Sequence, residues 1–385
     1  MDNKKIKKAV GLESFLFLIG FVGFFAFLCT KMGTANMFNT LMNTSHKLLL
    51  NTVFLIMAVA VIAGAIGALL SEFGVVAMIN KLLSPLMKPL FDLPGAAAIG
   101  IVTTYLSDNP AVITLARDKG FVRFFKKYQI PALTNLGTSF GMGLIVTTFM
   151  MGQKSPVGEN LFAAALIGNL GAVIGSIISV RLMLRATKKA FGTEAMAVEG
   201  GFNNNDLLNY RETRRGNVGR RMLESLLEGG KAGVDMGLSI IPGVLIICTI
   251  VLLLTNGPSS TGQYTGAAFE GVAVLPWIGE KLSFILKPLF GFRSAQAIAF
   301  PITSLGAVGA AISLVPDFLS KGLIGGNEIA VFTAMGMCWS GYLSTHVAMM
   351  DALECRKLTG SAILSHTIGG LVAGISAHFI YILLT

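Results

Sequence analysis

Long apolar runs separated by short basic loops dominate the chain. Seven of them approach or exceed the roughly 20 residues a helix needs to cross a bilayer: Leu12 to Thr30, Leu48 to Leu70, Ile130 to Gly152, Leu161 to Arg181, Ala232 to Leu254, Glu328 to Met350 and Gly360 to Leu384. Two further apolar stretches, Gly95 to Ala116 and Ser294 to Pro316, are interrupted near the middle, at Ser107-Asp108-Asn109-Pro110 and at Gly306-Ala307-Val308-Gly309. A break at membrane depth frees backbone groups that only protein or a water-lined cavity can satisfy, so both stretches predict re-entrant hairpins. Ahead of the first, Phe73, Val76, Ile79, Leu83, Leu86 and Leu90 recur near helical spacing, with Glu72, Lys81 and Lys88 elsewhere. This predicts an interfacial helix, and Trp277 to Phe290 repeats the pattern more weakly.

The second half of the chain echoes the first. Lys88-Pro89-Leu90-Phe91 returns as Lys287-Pro288-Leu289-Phe290, an offset of 199, and the same offset carries Asp118 onto Asp317, Thr134 onto Thr333, Gly137 onto Gly336, Gly171 onto Gly370 and Gly175 onto Gly374. Each half reads as a spanning helix, an interfacial helix, a hairpin and two more spanning helices. The first copy begins outside and the second inside, so the copies are inverted, the arrangement by which carriers alternate access around one central site. The predicted fold is therefore all-α and polytopic: 1–47 an extra N-terminal helix and external loop, 48–181 the first repeat, 182–231 a basic linker, and 232–385 the second repeat. Small residues four apart, Gly137/Gly141 with Gly336/Ser340 and Gly171/Gly175 with Gly370/Gly374, are expected to serve close helix packing.

Composition supports the same class. The 385 residues are 53% hydrophobic and 13% charged, with 45 glycines, too apolar for a soluble surface. The net charge of +10 does not mark a nucleic-acid binder, because the basic residues lie in short loops without interleaved aromatics. With the N-terminus in the cytoplasm and both hairpins re-entrant, most Lys and Arg fall on the inner side, including the run Arg117 to Lys127 and the Arg214-Arg215 and Arg220-Arg221 pairs. A multi-pass protein of the cell inner (plasma) membrane follows. The N-terminal Lys-rich segment imitates a secretory signal, but no small-residue cleavage site follows and the run is long enough to span, so a retained helix is expected. Cys29, Cys248, Cys338 and Cys355 are too scattered for a disulfide framework or a metal site.

The hairpin-plus-helix units, the break Leu106-Ser107-Asp108-Asn109-Pro110-Ala111 and the segment Gly233-Val234-Asp235-Met236-Gly237-Leu238-Ser239-Ile240-Ile241-Pro242-Gly243 resemble the nucleoside-recognition, or Gate, family of membrane proteins, which includes spore-maturation-type proteins. The resemblance covers nearly everything from Leu48 onward. It implies an architecture like that of concentrative nucleoside transporters, whose hairpins and adjacent helices hold nucleoside and coupling ion. Their hairpin signature Gly-Gln-Thr-Glu-Ala-Pro is absent, and Ser107-Asp108-Asn109-Pro110-Ala111 stands in the comparable place.

Candidate chemistry gathers at the breaks. Asp108 is an acidic residue deep in an apolar hairpin, where insertion costs roughly 2.5 to 3.5 kcal/mol, which marks it for function. It reads as a Na⁺ ligand, a proton carrier or an acceptor for solute; alternatively it caps the second half-helix, with Pro110 at the first helical position. Ser107 and Asn109 flank it. In the second hairpin Thr303 and Ser304 precede the break, and their hydroxyls reach either a solute or their own helix. Asn135, Thr138, Ser139 and Met142 share one face of their helix, and Thr333, Ser340 and Ser344 share a face of its repeat, both expected to look onto the hairpins. Trp339, the counterpart of Phe140, offers a ring for stacking on a heterocycle or for packing. His346 and His366, near the inner ends of the last two helices, read as a proton relay or as structural histidines.

Together these features point to a secondary carrier of a small polar solute, nucleoside-like on the resemblance, with no bound cofactor or metal and with Na⁺ or H⁺ as coupling ion. Its partners are the solute and the lipid bilayer, with a homo-oligomer left open. A non-transporting scaffold or regulatory protein of the spore-maturation type is the alternative. Gly137-Thr138-Ser139-Phe140-Gly141 also fits the nucleophile pattern G-x-S-x-G, the basis of a remote third reading as an intramembrane serine protease with His346 or His366 as base. An enzyme is not expected.

Overall fold

A computed structural model describes residues 8–198, 211 and 213–385, with the backbone alone at residues 119, 120 and 344. Helix α1 (Leu12–Met32) packs near its C-terminal end, where Leu28 and Met32 meet Met37 and Leu253. Phe24, Phe25 and Cys29 are partly buried against the same cluster, and the rest of the helix, Phe15, Phe17 and Ile19 included, is exposed, as suits a helix surrounded by lipid. The stretch after it, expected to be a loop, is instead α2 (Thr34–Lys47), which runs through a π-helical turn, Leu48–Val53, into α3 (Phe54–Glu72). Hydropathy misses α2 because its inward face is polar. Asn36 and Asn43 donate to the carbonyls of Tyr264 and Gly266 (both 2.9 Å), and Thr44 Oγ1 accepts from the Phe269 N–H (2.9 Å).

The first repeat continues with the interfacial helix α4 (Val75–Phe91), the hairpin arms α5 (Ala97–Leu106) and α6 (Ala111–Arg117), the short α7 (Lys119–Val122), α8 (Ala132–Thr138), α9 (Gly143–Met151) and α10 (Leu161–Phe191). The second contains α11 (Val218–Ser239), a π-helical turn at Gly243–Cys248, α12 (Thr249–Thr255), the interfacial pair α13 (Val274–Lys281) and α14 (Ser283–Phe290), the hairpin α15 (Ala299–Gly306), α16 (Val308–Ile312) and α17 (Val315–Ser320), then α18 (Gly326–Trp339), α19 (Tyr342–Ala352) and α20 (Thr359–Leu384).

Two expected boundaries move and two expected helices are broken. Helix α10 extends to Phe191, and α11 starts at Val218, where Asn217 Oδ1 accepts from the Arg220 N–H (2.8 Å); the stretch read as linker is thus helical at both ends. Its Asn203-Asn204-Asn205 lie outside the described residues. Ile130 to Gly152 and Glu328 to Met350, read as continuous helices, are each broken, at Ser139–Met142 and at Ser340–Gly341. Six helical stretches among the described residues are long and apolar enough to span, and Glu328 to Met350 is not one of them.

Glycine faces set the helix crossings. A Cβ on Gly229 of α11 would overlap the Gly64 carbonyl and Ala68 of α3, and one on Gly175 of α10 would overlap Gly369 and Ala373 of α20. Lipid gives apolar helices no hydrophobic reason to associate, so such backbone approach supplies the packing. Gly370 and Gly374 turn instead toward Trp339 and Met335 of α18.

Equivalent caps tie the interfacial helices to both repeats. The Lys126 N–H donates to Gln129 Oε1 and the Gly325 N–H to Glu328 Oε2, each at 2.9 Å and 199 positions apart in sequence. Gln129 Nε2 then donates to the Asp92 carbonyl (2.7 Å) and Asn327 Nδ2 to that of Gly291 (3.1 Å), Asp92 and Gly291 being the left-handed ends of α4 and α14 (φ 56° and 66°). The Asp92 carboxylate also accepts from Lys88 and Lys188, each at 2.6 Å. Burial pushes the Asp92 carboxyl up, but the Lys188 and Lys88 hydrogen bonds outweigh it and hold it below the usual carboxylate range; hydrogen bonding to Asp92 raises Lys88.

Two outcomes follow. Gly229→Leu should overpack the α3–α11 crossing by about 1–3 kcal/mol or more and lower the melting midpoint in detergent, whereas Gly20→Leu on α1, with nothing within 4 Å of its Cβ, should leave it unchanged; equal effects would refute the crossing's role. A depressed Asp92 stabilises the fold above the unfolded carboxylate value of about 3.9 and loses that contribution as pH falls through the folded value. Asp92→Asn should therefore lower the midpoint at neutral pH, and the gap to the parent should close on acidification; a gap independent of pH would count against the pairing.

Candidate functional site

Each of α8/α9 and α18/α19 breaks where its backbone turns left-handed: Met142 (φ 54°) in the first, Ser340 (φ 27°) and Gly341 (φ 72°) in the second. For Met142 such a turn costs about 1–2 kcal/mol, and in an apolar interior the freed N–H must find an acceptor. The hairpins supply it. The Met142 N–H donates to the Ser107 carbonyl (3.2 Å), and the Gly341 N–H to the Ser304 carbonyl (2.9 Å). Each hairpin tip is thus docked on the broken helix of its own repeat. The constant offset slips here, Ser304 rather than Gly306 standing in the place of Ser107.

The two breaks also meet each other. Ser340 Oγ donates to the Gly141 carbonyl (3.3 Å), a contact between positions related by the repeat. Asn109 enters this junction: its Nδ2 donates to the Ser340 carbonyl (2.7 Å), bonding the first hairpin to the second repeat. A Cβ on Gly141 would overlap Asn109 Oδ1, so the absence of a side chain there admits the amide. Asn109 is fully buried and its Oδ1 has no hydrogen-bond partner. Asp108 is half-buried beside it and accepts the Asn109 N–H on Oδ1 (2.7 Å). It does not cap α6 by side chain as one reading expected. The Asp108 and Asn109 carbonyls accept the Ala111 and Val112 N–H groups instead, at 3.0 and 3.3 Å.

Hairpin 1 is tight at its tip and borders space on both flanks. On the α6 side a cavity of about 400 Å³ opens toward α19, lined by Pro110, Thr114, Arg117, Thr345 and Met349. On the α5 side one of about 330 Å³ lies against α3 and α11, lined by Ser107, Thr103, Arg214 and Glu228. At that cavity Arg214 bonds both Glu228 and Glu72, the latter at 2.7 Å, and Arg221 joins Glu72 at 2.7 Å.

Other candidates are spent on structure. Ser107 Oγ donates to the Thr103 carbonyl (2.6 Å), Thr303 Oγ1 to that of Ala299 (2.7 Å) and Ser304 Oγ to that of Pro301 (2.9 Å). Thr138, Ser139 and Thr333 likewise donate one turn back, to Thr134, Asn135 and Ile329. Asn135 turns away from the hairpin: its Nδ2 reaches Ser179 Oγ (3.0 Å) and the Ala362 carbonyl (3.1 Å). The face of α8 that meets hairpin 1 is instead the glycine one, where Gly137 approaches Val112, and Gly336 of α18 likewise approaches Phe300 and Val308 of hairpin 2. Of the small-residue spacings read as helix packing, the one at Gly137 and Gly336 is a hairpin seat, while Gly171 and Gly175 do pack α10 on α20. Trp339 packs on Tyr342, 6.2 Å between centroids.

The two histidines are brought together, 4.6 Å between ring centroids and both fully buried. His366 Nε2 faces the Cys338 carbonyl and must donate to it, so Nδ1 accepts from Ser179 Oγ (2.8 Å). Ser139, the nucleophile of the protease reading, bonds to its own helix, and His366 is committed to Ser179 and Cys338. Hydropathy gave no notice of Ser179, Tyr105 or Asn169, although Asn169 stands out as an amide in an apolar run. Tyr105 donates to Asn169 Oδ1 (3.1 Å) and lies against Gly143.

Asn109 and Gly141 should couple energetically. Asn109→Ala leaves the Ser340 carbonyl unpaired, costing about 1–3 kcal/mol, and Gly141→Ala collides with the amide. Because the first change removes what the second strikes, the double variant should melt above the additive expectation. Strict additivity in detergent melts would refute the insertion.

No family model matches the chain, and no curated protein matches it. Among solved structures the fold is similar to that of CNTnw, a concentrative nucleoside transporter. One CNTnw variant in an outward-facing state superposes with a TM-score of 0.56 at 12% identity, over 96% of this chain and 86% of that one. A second outward-facing variant gives 0.54 at 12% identity over 85% and 76%. CNTnw in an inward-facing, substrate-bound state gives 0.53 at 13% identity over 84% and 74%. At this identity the likeness is one of fold: a polytopic, all-helical membrane architecture of two inverted repeats.

Proposed function

We propose that the protein is a secondary carrier of a small polar solute, with hairpin 1 as its moving gate. The observation that carries this reading is the Asn109 amide, buried at the meeting point of two broken helices with its carbonyl oxygen unbonded, on a hairpin bordered by cavities on both flanks. A buried amide oxygen is expected to be bonded, and a solute donor supplies the missing partner. Asp108, one residue away and half-buried, adds the charge that selects a polar or cationic group. The likeness of fold to a transporter seen outward- and inward-facing supports alternating access. A nucleoside or nucleobase fits the pairing of an amide with a carboxylate, since both groups bond to the edge of a heterocycle. The excess of basic residues in the loops favours a plasma (inner) membrane location with a cytoplasmic N-terminus.

Purified protein in liposomes should exchange labelled uridine, adenosine or hypoxanthine saturably. Asp108→Asn should lower the rate by about tenfold, the scale of one charged hydrogen bond of roughly 1.4 kcal/mol or more. Absence of uptake across nucleosides, nucleobases and small anions would overturn the carrier in favour of a non-transporting scaffold.

A further inference from the structure

Among the buried groups around the helix breaks with no hydrogen-bond partner, which include the Trp339 indole N–H and the Thr134 hydroxyl, His346 is the titratable one, and its whole polar end is uncommitted. It is fully buried, and neither Nδ1 nor Nε2 has a hydrogen-bond partner. The Tyr342 carbonyl one turn back lies near enough to act electrostatically but outside hydrogen-bond geometry. An imidazole always carries at least one N–H, so even the neutral ring leaves a donor unpaired.

Its neighbour is arranged in the opposite way. His366 donates through Nε2 to the Cys338 carbonyl and accepts at Nδ1 from Ser179 Oγ, which in turn accepts from Asn135 Nδ2. Each hydrogen in that chain has one acceptor, and the chain is complete with His366 neutral. A proton added to Nδ1 would displace the Ser179 hydroxyl hydrogen. His366 is a fixed dipole against which His346 rests.

The groups that face His346 can be enumerated by element. From α20 comes His366; from its own helix Tyr342, whose ring stands edge-on at 5.5 Å; from α18 Cys338, which holds His366. The packed helices α8 and α15 contain no titratable side chain, while the turn Arg356–Leu358 packed on the end of α19 brings Arg356 and Lys357, Arg356 pairing at 3.5 Å with Asp351 of the last turn of α19. Arg117 of hairpin 1 faces α19 across the cavity of about 400 Å³ that Thr345 and Met349 line. The carboxylate among these, Asp351, is exposed and paired with Arg356, and an imidazolium at His346 would hold two charged donors without a bonded acceptor. That cavity lies on the neighbouring face of α19, so the helix has room to move where hairpin 1 borders it.

We infer that His346 is a proton-binding site, and that its protonation shifts α19 out of the closed junction, making H⁺ the coupling ion. The reading rests on the carrier function proposed above. The proton is taken up by a ring nitrogen when α19 opens to one side and is lost to water from the same nitrogen on the other. No bond beyond N–H forms or breaks, and His366 stays neutral throughout. The sign is fixed by the geometry. The closed junction has no acceptor for a second proton, so acid favours the open arrangement, within the range of about pH 5 to 8 where histidine changes charge.

Two measurements test this separately from the carrier itself. In nanodiscs without solute, deuterium uptake by α19 peptides, corrected for the intrinsic pH dependence of exchange, should rise by about threefold or more between about pH 7.5 and 5.5. His346→Gln should flatten the difference and His378→Gln, at the far end of α20, should not. No pH-dependent difference, or one that survives His346→Gln, overturns the proton site whether or not any solute is carried. In liposomes with labelled uridine or hypoxanthine, an inward pH gradient should raise accumulation by about fivefold over symmetric pH in the parent, with a ratio near one in His346→Gln. Accumulation that follows a Na⁺ gradient alone overturns the proton coupling while leaving the carrier standing. If neither probe moves at any pH, the carrier reading fails, and the exchange measurement still decides whether His346 binds the proton.

Discussion

Everything at the centre of this protein depends on where the backbone groups freed by two helix breaks find their partners. In water a break is inexpensive because solvent bonds to whatever the helix releases. In a bilayer each orphaned N–H or carbonyl costs several kcal/mol. Here the Met142 and Gly341 N–H groups go to the carbonyl ends of the hairpins, and the Ser340 carbonyl goes to Asn109. The breaks and the hairpins are therefore one arrangement, since neither has its polar groups satisfied without the other. A hairpin that leaves its seat must exchange those bonds for bonds to water or solute. That requirement ties hairpin motion to hydration of the junction.

The repeat explains the scaffold and fails where function begins. Caps, interfacial helix ends and glycine seats recur, from Gln129 and Glu328 to Gly137 and Gly336, because both copies solve the same problem of anchoring a re-entrant hairpin. At the tips the copies diverge. Hairpin 1 carries Asp108, Asn109 and Pro110, while hairpin 2 offers Leu305, Gly306 and Ala307, and the Gly341 backbone approaches the Gly306 carbonyl directly. One hairpin thus brings side-chain chemistry and the other brings backbone.

Much of this was legible in the chain. Spans follow from apolar length, hairpins from the breaks in two apolar stretches, the repeat from the offset of 199, and its inversion from the sides on which the two copies begin. Less legible were features set by tertiary contact. A run such as Ile130 to Gly152 reads as a single helix because its break at Ser139–Met142 has no proline and no charge; what stabilises it is the Ser107 carbonyl, more than 30 residues away in sequence. Helix α2 is hidden because its polar face serves a loop from the other repeat. Hydroxyls at Thr138, Ser139 and Thr303 share their composition with a binding site, but back-bonding to the previous turn is the competing outcome that residue type alone does not decide. The glycines were noticed for helix packing, and the seat they make for a hairpin follows only once the hairpin is in place.

The divergence between the hairpins also bears on how one central site serves two sides of a membrane. If both tips carried a buried amide and a carboxylate, the closed junction would hold like charges and unpaired acceptors on both sides, and it would be expensive to form. With the tip of hairpin 2 apolar and bonded through backbone alone, the junction closes around one polar insertion. The chemistry available to a solute is concentrated on the hairpin that borders cavities on both flanks. The uncommitted His346 lies on α19, the helix facing one of those cavities. On the proposed carrier reading the moving, polar elements are α19 and hairpin 1, set against a scaffold of α3, α10, α11 and α20 whose glycine crossings leave little freedom. Rigid crossings and a single polar hairpin are complementary requirements of the proposed carrier: the scaffold holds the breaks in register, so that the exchange of a few hydrogen bonds at Asn109 and Ser340 would separate one state from the next.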